Sequence, residues 1–170
     1  MAEPISQLKQ RTRRDYPYTL PYRTRWSDND MYSHLNNSIY NFLYDSVVNA
    51  YLINHCGLSP STSAQYGLVV SSSNNYFSSI AYPAVAELGL RVAKLGKSSV
   101  TYEIALFEEG VEGVKAVGSF THVFVDRDTG RPAAKGMNEG LRTGLQSLAN
   151  SLPGNGTKIP EKPEGKASKL

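Results

Sequence analysis

The chain has 170 residues, 40% hydrophobic and 19% charged, which is the make-up of one globular domain large enough for a real core. A net charge of +3 is too small to argue for nucleic acid and mildly favours an anionic ligand such as a phosphorylated cofactor. The single Cys56 excludes an intrachain disulfide and suits a reducing compartment, and no apolar run approaches the ~20 residues that span a bilayer.

In chain order, residues 1–16 carry Lys9, Arg11, Arg13 and Arg14 with few apolar side chains, and read as a flexible basic arm. The N-terminus lacks the apolar core of a secretory signal, and Glu3 and Asp15 argue against a mitochondrial presequence. Tyr18 to Trp26 reads as a strand that Pro21 places at an edge or bulges. Asp28 to Asn37 is a polar turn. Ser38 to His55 has no Gly or Pro and stops at Gly57-Leu58, a typical helix end. Its apolar residues cover most of the circumference, so the helix is expected to be buried on most sides, with Tyr40, Phe42 and Tyr44 in the core. One polar stripe remains, Ser38, Asn41, Asp45 and Asn49, at spacings of three and four.

Four strands are expected next: Gly67 to Phe77, Glu87 to Leu95, Val100 to Phe107 and Val114 to Val125. A turn at Ala81-Tyr82-Pro83 precedes the second of these, and Gly96-Lys97 makes a hairpin with the third. Gly136 to Ala149 reads as a short last helix, and residues 150–170, rich in Gly, Pro, Lys and Glu, as a flexible tail. The domain is thus residues 17–149, with no repeat and no second domain. One buried helix with consecutive hairpin-linked strands implies an α+β fold, an antiparallel sheet curled around that helix.

Several chemistries drop out. There is no G-x-S-x-G elbow, P-loop or dinucleotide fingerprint. His34, His55 and His122 show no metal-ligand spacing with Cys or acidic residues, so no metal site is expected. His55 and Cys56 are helix neighbours and do not face each other; Cys56 reads as a core residue. His122 lies mid-strand on the face of Phe120 and Phe124 and reads as a packed, hydrogen-bonded histidine.

The turn Asp28-Asn29-Asp30-Met31-Tyr32-Ser33-His34-Leu35-Asn36-Asn37 has two readings. Asp28 and Asp30 serve as turn formers, and Asn36, Asn37 or Ser38 as the helix N-cap. Alternatively, a carboxylate beside a helix N-terminus deprotonates water or attacks a carbonyl, while backbone amides stabilise the oxyanion. The segment holds more polar groups than one cap needs.

Trp26 to Asn37 followed by Tyr40 resembles the D-x-D-x-x-G-H-V-N-N-x-x-Y signature of hotdog-fold acyl-CoA thioesterases, in the 4-hydroxybenzoyl-CoA thioesterase-like branch. Arg91 to Glu103 resembles the third and fourth strands of the same family, and the element order from Tyr18 to Pro132 agrees. The resemblance implies Asp30 as catalytic carboxylate, either general base or nucleophile. It implies His34 to Asn37 as the region that polarises the thioester carbonyl, with His34 and Asn37 at the catalytic centre and Ser33, Leu35 and Asn36 near substrate. Asp28 reads as structural, Asp45 as a helix carboxylate on a polar groove or in solvent, and Lys97, with Arg91 and Lys94, as a partner for coenzyme A phosphates. Neither metal nor redox cofactor is implied, since coenzyme A enters with the acyl-CoA substrate. A homodimer or homotetramer is implied, with sites built across subunits. Ser33 stands where the family has Gly, and Ser adopts a positive φ only at a cost. That departure keeps open a non-catalytic acyl-CoA binding protein. A hotdog enoyl-CoA hydratase fits less well, because its D-x-N-P-x-H motif has a Pro this chain lacks.

Ser168-Lys169-Leu170 reads as a peroxisomal address recognised by an import receptor, which would place acyl-CoA chemistry in the peroxisome.

Overall fold

The computed structural model describes residues 3–151; Ser168, Lys169 and Leu170 lie outside the described residues. Its centre is helix α2, Asn37–His55, which buries Tyr40, Leu43, Tyr44, Val47, Val48, Tyr51 and Leu52. These positions recur at three and four residues, so one face of a 3.6-residue period meets the core. Leu58 N–H donates to the Leu52 carbonyl (3.1 Å) across Gly57, whose φ of +68° ends the helix where the sequence places the stop.

The sheet has five antiparallel strands: β1 (Tyr18–Arg23), β2 (Gln65–Tyr76), β3 (Val85–Leu95), β4 (Ser99–Glu108) and β5 (Ala116–Asp126). Their order is β1-β3-β4-β5-β2, with α2 on the inner face. Alternate residues Leu88 and Leu90, Val100, Tyr102, Ile104 and Leu106, and Phe120 and Phe124 point at the helix and are buried. Gly118 admits the ring of Tyr44, because a Cβ there would lie 2.3 Å from Tyr44 Cε2. A last helix, α3 (Glu139–Asn150), is capped by Asn138, whose Oδ1 accepts from Leu141 N–H (3.0 Å). It buries Leu141, Leu145 and Leu148 and comes so close to the end of α2 that a Cβ on Gly144 would lie 2.4 Å from Cys56 Sγ.

The expected α+β sheet around one helix is therefore present, with three local differences. β1 stops at Arg23, and Trp26–Asp28 instead forms a 3-10 turn, because Asp28 is pulled inward. α2 is buried along one face and not on most sides, and Phe42, 55% exposed, is outside the core because it lies on the helix face turned away from the sheet. His122 is buried as expected, but its Nδ1 has no hydrogen-bond partner among the described residues, and burial pushes the imidazole down to about 4, so it is neutral at pH 7.

The N-terminal arm is the largest correction. Residues 3–16 are not a solvated arm but a strap over the outer face of the sheet, with a short helix α1 (Ile5–Leu8) and a 3-10 turn at Arg13–Asp15. Leu8 and Tyr16 pack on Ala105, Phe107, Val114 and Val117. The Glu103 carboxylate, on that face, accepts from Arg11 Nε (2.8 Å), Tyr16 hydroxyl (2.8 Å) and Arg91 Nη2 (2.9 Å).

Burial alone would raise the Glu103 pKa, but hydrogen bonds from Arg11, Arg91 and Tyr16 outweigh it and hold the carboxyl below its ordinary value. A carboxyl depressed in the fold stabilises it above its unfolded pKa of about 4.3, and that contribution is lost as pH falls through the folded value. Urea unfolding across pH 3–7 should thus show stability falling on the acid side. Glu103→Gln is expected to lower stability at pH 7 and flatten that acid-side slope; an unchanged slope would remove Glu103 from the account.

Candidate active site

The loop from Arg25 to Asn36 joins β1 to α2 and is zipped by its own backbone. Asn36 N–H donates to the Asp28 carbonyl (2.8 Å), Asp30 N–H to the His34 carbonyl (2.8 Å) and Ser33 N–H to the Asp30 carbonyl (3.2 Å). Its floor is Asp28, fully buried, whose carboxylate accepts from Tyr22 hydroxyl (2.8 Å), Arg25 N–H (2.8 Å) and the Arg25 guanidinium (2.8 and 3.1 Å). Burial alone would raise its pKa, but the bonds from Arg25 and Tyr22 hold it below the usual carboxylate range. Asp28 is structural, an anion satisfied on every side.

Asp30 sits higher in the loop and is only half-buried. One oxygen, Oδ1, accepts from Tyr32 N–H (2.8 Å) and His34 N–H (3.2 Å), the geometry of an Asx turn. The other, Oδ2, makes no hydrogen bond among the described residues. The turn-forming and chemical readings of Asp30 are thus compatible: one oxygen fixes the side chain and the other stays free.

The helix N-terminus divides its donors sharply. Asn36 is the N-cap, its Oδ1 accepting from Ser38 N–H (3.0 Å) and Ser38 hydroxyl (2.9 Å). Leu35 N–H is taken by the Ile80 carbonyl (2.8 Å), Asn36 N–H by Asp28, and His34 N–H by Asp30. Of the stretch His34 to Asn37, only the Asn37 N–H has no acceptor among the described residues. It is the first amide of α2, where the helix dipole also favours negative charge. The Asn37 side chain and the His34 imidazole are exposed and carry no hydrogen bond there.

Other expected positions fall elsewhere. Leu35 faces the core at 3% exposure, so its side chain is not presented for substrate, whereas Asn36 is exposed with its Oδ1 engaged in capping and its Nδ2 without a hydrogen bond among the described residues. Asp45 is exposed about 12 Å along α2 from Asn37 and accepts from Asn49 Nδ2 (3.0 Å), so the polar stripe does face outward. Lys97 lies at the far end of β3, about 33 Å of strand from the Val85 end beside the loop. Its ammonium donates to the Ala134 carbonyl (2.8 Å) and so is not beside Asp30 in the same subunit. Unforeseen members are Ile80 and Tyr82, from the β2–β3 connection; Tyr82 N–H donates to Asn29 Oδ1 (3.1 Å). Among the described residues no group of three or more His, Cys, Asp or Glu is placed to hold a metal ion, and no helix is long and apolar enough to cross a membrane.

A five-stranded antiparallel sheet wrapped around one long helix, entered through a polar loop, is the hotdog fold. Residues 24–162 match the model of the Thioesterase-like superfamily, and the chain belongs to that family. Among solved structures, the PA5185 protein of Pseudomonas aeruginosa is similar at 47% identity and a TM-score of 0.78, over 82% of this chain and 96% of that one. The fold is shared by Slr0204, a 1,4-dihydroxy-2-naphthoyl-CoA thioesterase from Synechocystis (12% identity, TM-score 0.68, 77% of this chain and 96% of that one). It is also shared by SAV2348 from Staphylococcus aureus, solved in complex with CoA (17% identity, TM-score 0.73, 89% and 94%). A comparison with curated proteins gives no match.

Ser33 has φ +61°, the left-handed conformation for which Gly is suited. The loop therefore keeps the backbone shape that the family's Gly permits, at a cost borne by serine. Ser33→Gly is expected to raise stability by up to ~1 kcal/mol in urea unfolding. A loss of stability would mean that the Ser33 side chain itself holds the loop.

Proposed function

We propose that the protein hydrolyses an acyl-CoA thioester to the free carboxylic acid and coenzyme A. The observation that carries this reading is that, in the loop that enters α2 and at its first amide, a carboxylate oxygen and a backbone N–H are both left uncommitted among the described residues: Asp30 Oδ2 and Asn37 N–H. The carbonyl oxygen of the thioester would accept from Asn37 N–H, which stabilises charge as it develops on that oxygen. Asp30 then either takes a proton from water attacking the carbonyl carbon or attacks it directly, giving an anhydride that water cleaves. In both routes the C–S bond breaks and the sulfur leaves as the thiolate of coenzyme A, to be protonated. The CoA complex of SAV2348 and the thioesterase activity in the name of Slr0204 support the substrate class.

Self-association belongs to the same proposal. β2 is a sheet edge twelve residues long, with Leu68, Val69 and Val70 44–59% exposed, and an unpaired edge of that kind invites a second copy. Antiparallel pairing of two β2 strands lays the Tyr76 end of one beside the Gln65 end of the other. Gln65 Nε2 donates to the Gly136 carbonyl (3.2 Å), and Met137 N–H to the Lys97 carbonyl (3.0 Å), so Lys97 lies at the Gln65 end. The partner subunit's Lys97 is then the one placed to approach coenzyme A phosphates.

The test is release of free thiol from a panel of acyl-CoA esters. Asp30→Asn is expected to lower turnover by roughly 10²-fold or more at unchanged fold. Equal rates would remove Asp30 from the mechanism. Binding without turnover by the wild type would indicate an acyl-CoA binding protein, and water addition to an enoyl-CoA would indicate a hydratase.

We also propose that Ser168-Lys169-Leu170 directs the protein to the peroxisome through the import receptor. A fluorescent fusion ending in the native tripeptide should give peroxisomal puncta, and deletion of Leu170 should release it to the cytosol. Puncta that survive the deletion would refute the address.

A further inference from the structure

The outer face of the sheet carries an apolar patch that hydrolysis does not use, and the chain covers that patch with its own residues 3–16. Ala105, Phe107, Val114 and Val117 are all below 7% exposure there, beneath Leu8 and Tyr16. Three fittings show that strap and sheet are built for each other. First, Tyr16 occupies the space of an absent side chain: a Cβ on Gly89 would lie 2.6 Å from Tyr16 Cγ. Second, Arg11 donates to both oxygens of Glu103 (2.8 and 3.2 Å) while Arg91 reaches the same carboxylate from the sheet (2.9 Å), so the strap completes a carboxylate site that the sheet alone half fills. Third, the Arg13 guanidinium lies over the Phe107 ring at 4.9 Å and donates to Glu87 Oε2 (2.6 Å) and the Glu108 carbonyl (2.7 Å).

Without the strap, this patch would be an exposed apolar area on a sheet face, the kind of surface on which a second sheet stacks. Next to it the outer face is small and polar, with Thr101 and Thr121 hydroxyls bonded to each other (3.0 Å) and Ser119 and Ser73 alongside. The exposed apolar side chains of β2 are therefore the part of the sheet left free for another copy.

We infer that residues 3–16 are a built-in cap that reserves the outer sheet face, so that this protein associates through the β2 edge alone, as a dimer, and is kept from stacking back to back into a tetramer. The inference rests on the reading that copies associate through β2, and it decides between the dimer and the tetramer that the family resemblance leaves open.

The experiment is the light-scattering mass of the full chain, of a chain lacking residues 1–14, and of Arg11→Glu, which places two carboxylates together and unseats the cap at full length. Trypsin cleavage within residues 9–14 reports unseating, and far-UV circular dichroism reports that the domain remains folded. The full chain is expected at twice the subunit mass over a wide concentration range. The uncapped chains are expected at four times that mass or more, and acyl-CoA hydrolysis is expected to persist in all three. A full chain that is already a tetramer, or an unseated Arg11→Glu that stays a dimer, would overturn the cap. A monomeric full chain would overturn association through β2, and with it the premise. Loss of hydrolysis in every sample would count against the thioesterase reading alone, because mass and activity are read separately.

Discussion

A five-stranded sheet has two faces and two edges, and this chain has one long helix with which to cover them. That shortage governs the rest of the molecule. α2 takes the inner face and buries one side of itself against β3, β4 and β5. The patched part of the outer face falls to residues 3–16, which contribute little apolar surface and so rely on a carboxylate with three partners. Of the edges, β1 is short and carries Pro21, a poor template for another strand. β2 is long, bulged at Val70 and exposed. What can still be joined to the sheet is therefore decided by what the chain lacks the means to cover.

The same economy shapes the loop before α2. Most backbone donors there are tied into the fold, and buried Asp28 supplies the fixed point from which the 3-10 turn and the zipped segment hang. A loop so committed has few groups to offer a ligand. The few it offers are rigidly placed, which lowers the reorganisation required when charge develops on a bound carbonyl. Ser33 illustrates the cost of such a shape: a non-glycine residue held left-handed, at φ +61°, within the zipped segment.

Much of the fold was legible because it rests on local signals. The Gly57-Leu58 helix stop, the β-branched strands and the turn at Gly96-Lys97 each lie within a few residues of the structure they produce. The loop was legible by its polar excess, but not the division of labour inside it. Whether Asn36 or Asn37 caps the helix depends on a φ of −60° and ψ of 140° at Asn36, which no residue type dictates. Residue type did not separate Leu35, which turns into the core at 3% exposure, from Met31 in the same run, which is 99% exposed. The strap was not legible. Arg11 and Arg13 resemble solvated charge until Glu103 and Glu87 are brought beneath them, and those partners are 92 and 74 residues away. Phe42 failed for a related reason, since an apolar side chain facing outward reads in one dimension like its buried neighbours.

Cys56 gives the molecule a property outside its chemistry. It is the only cysteine in the chain, 4% exposed, with its thiol pushed up to about 12 by burial, and the backbone of Gly144 closes over it. A thiol so protonated and covered is a poor nucleophile toward disulfide reagents while α3 stays docked. The folded protein is accordingly nearly silent to the reagents that detect liberated coenzyme A. When α3 lifts from the end of α2, the same thiol becomes an intrinsic chemical clock for that opening, with no label introduced.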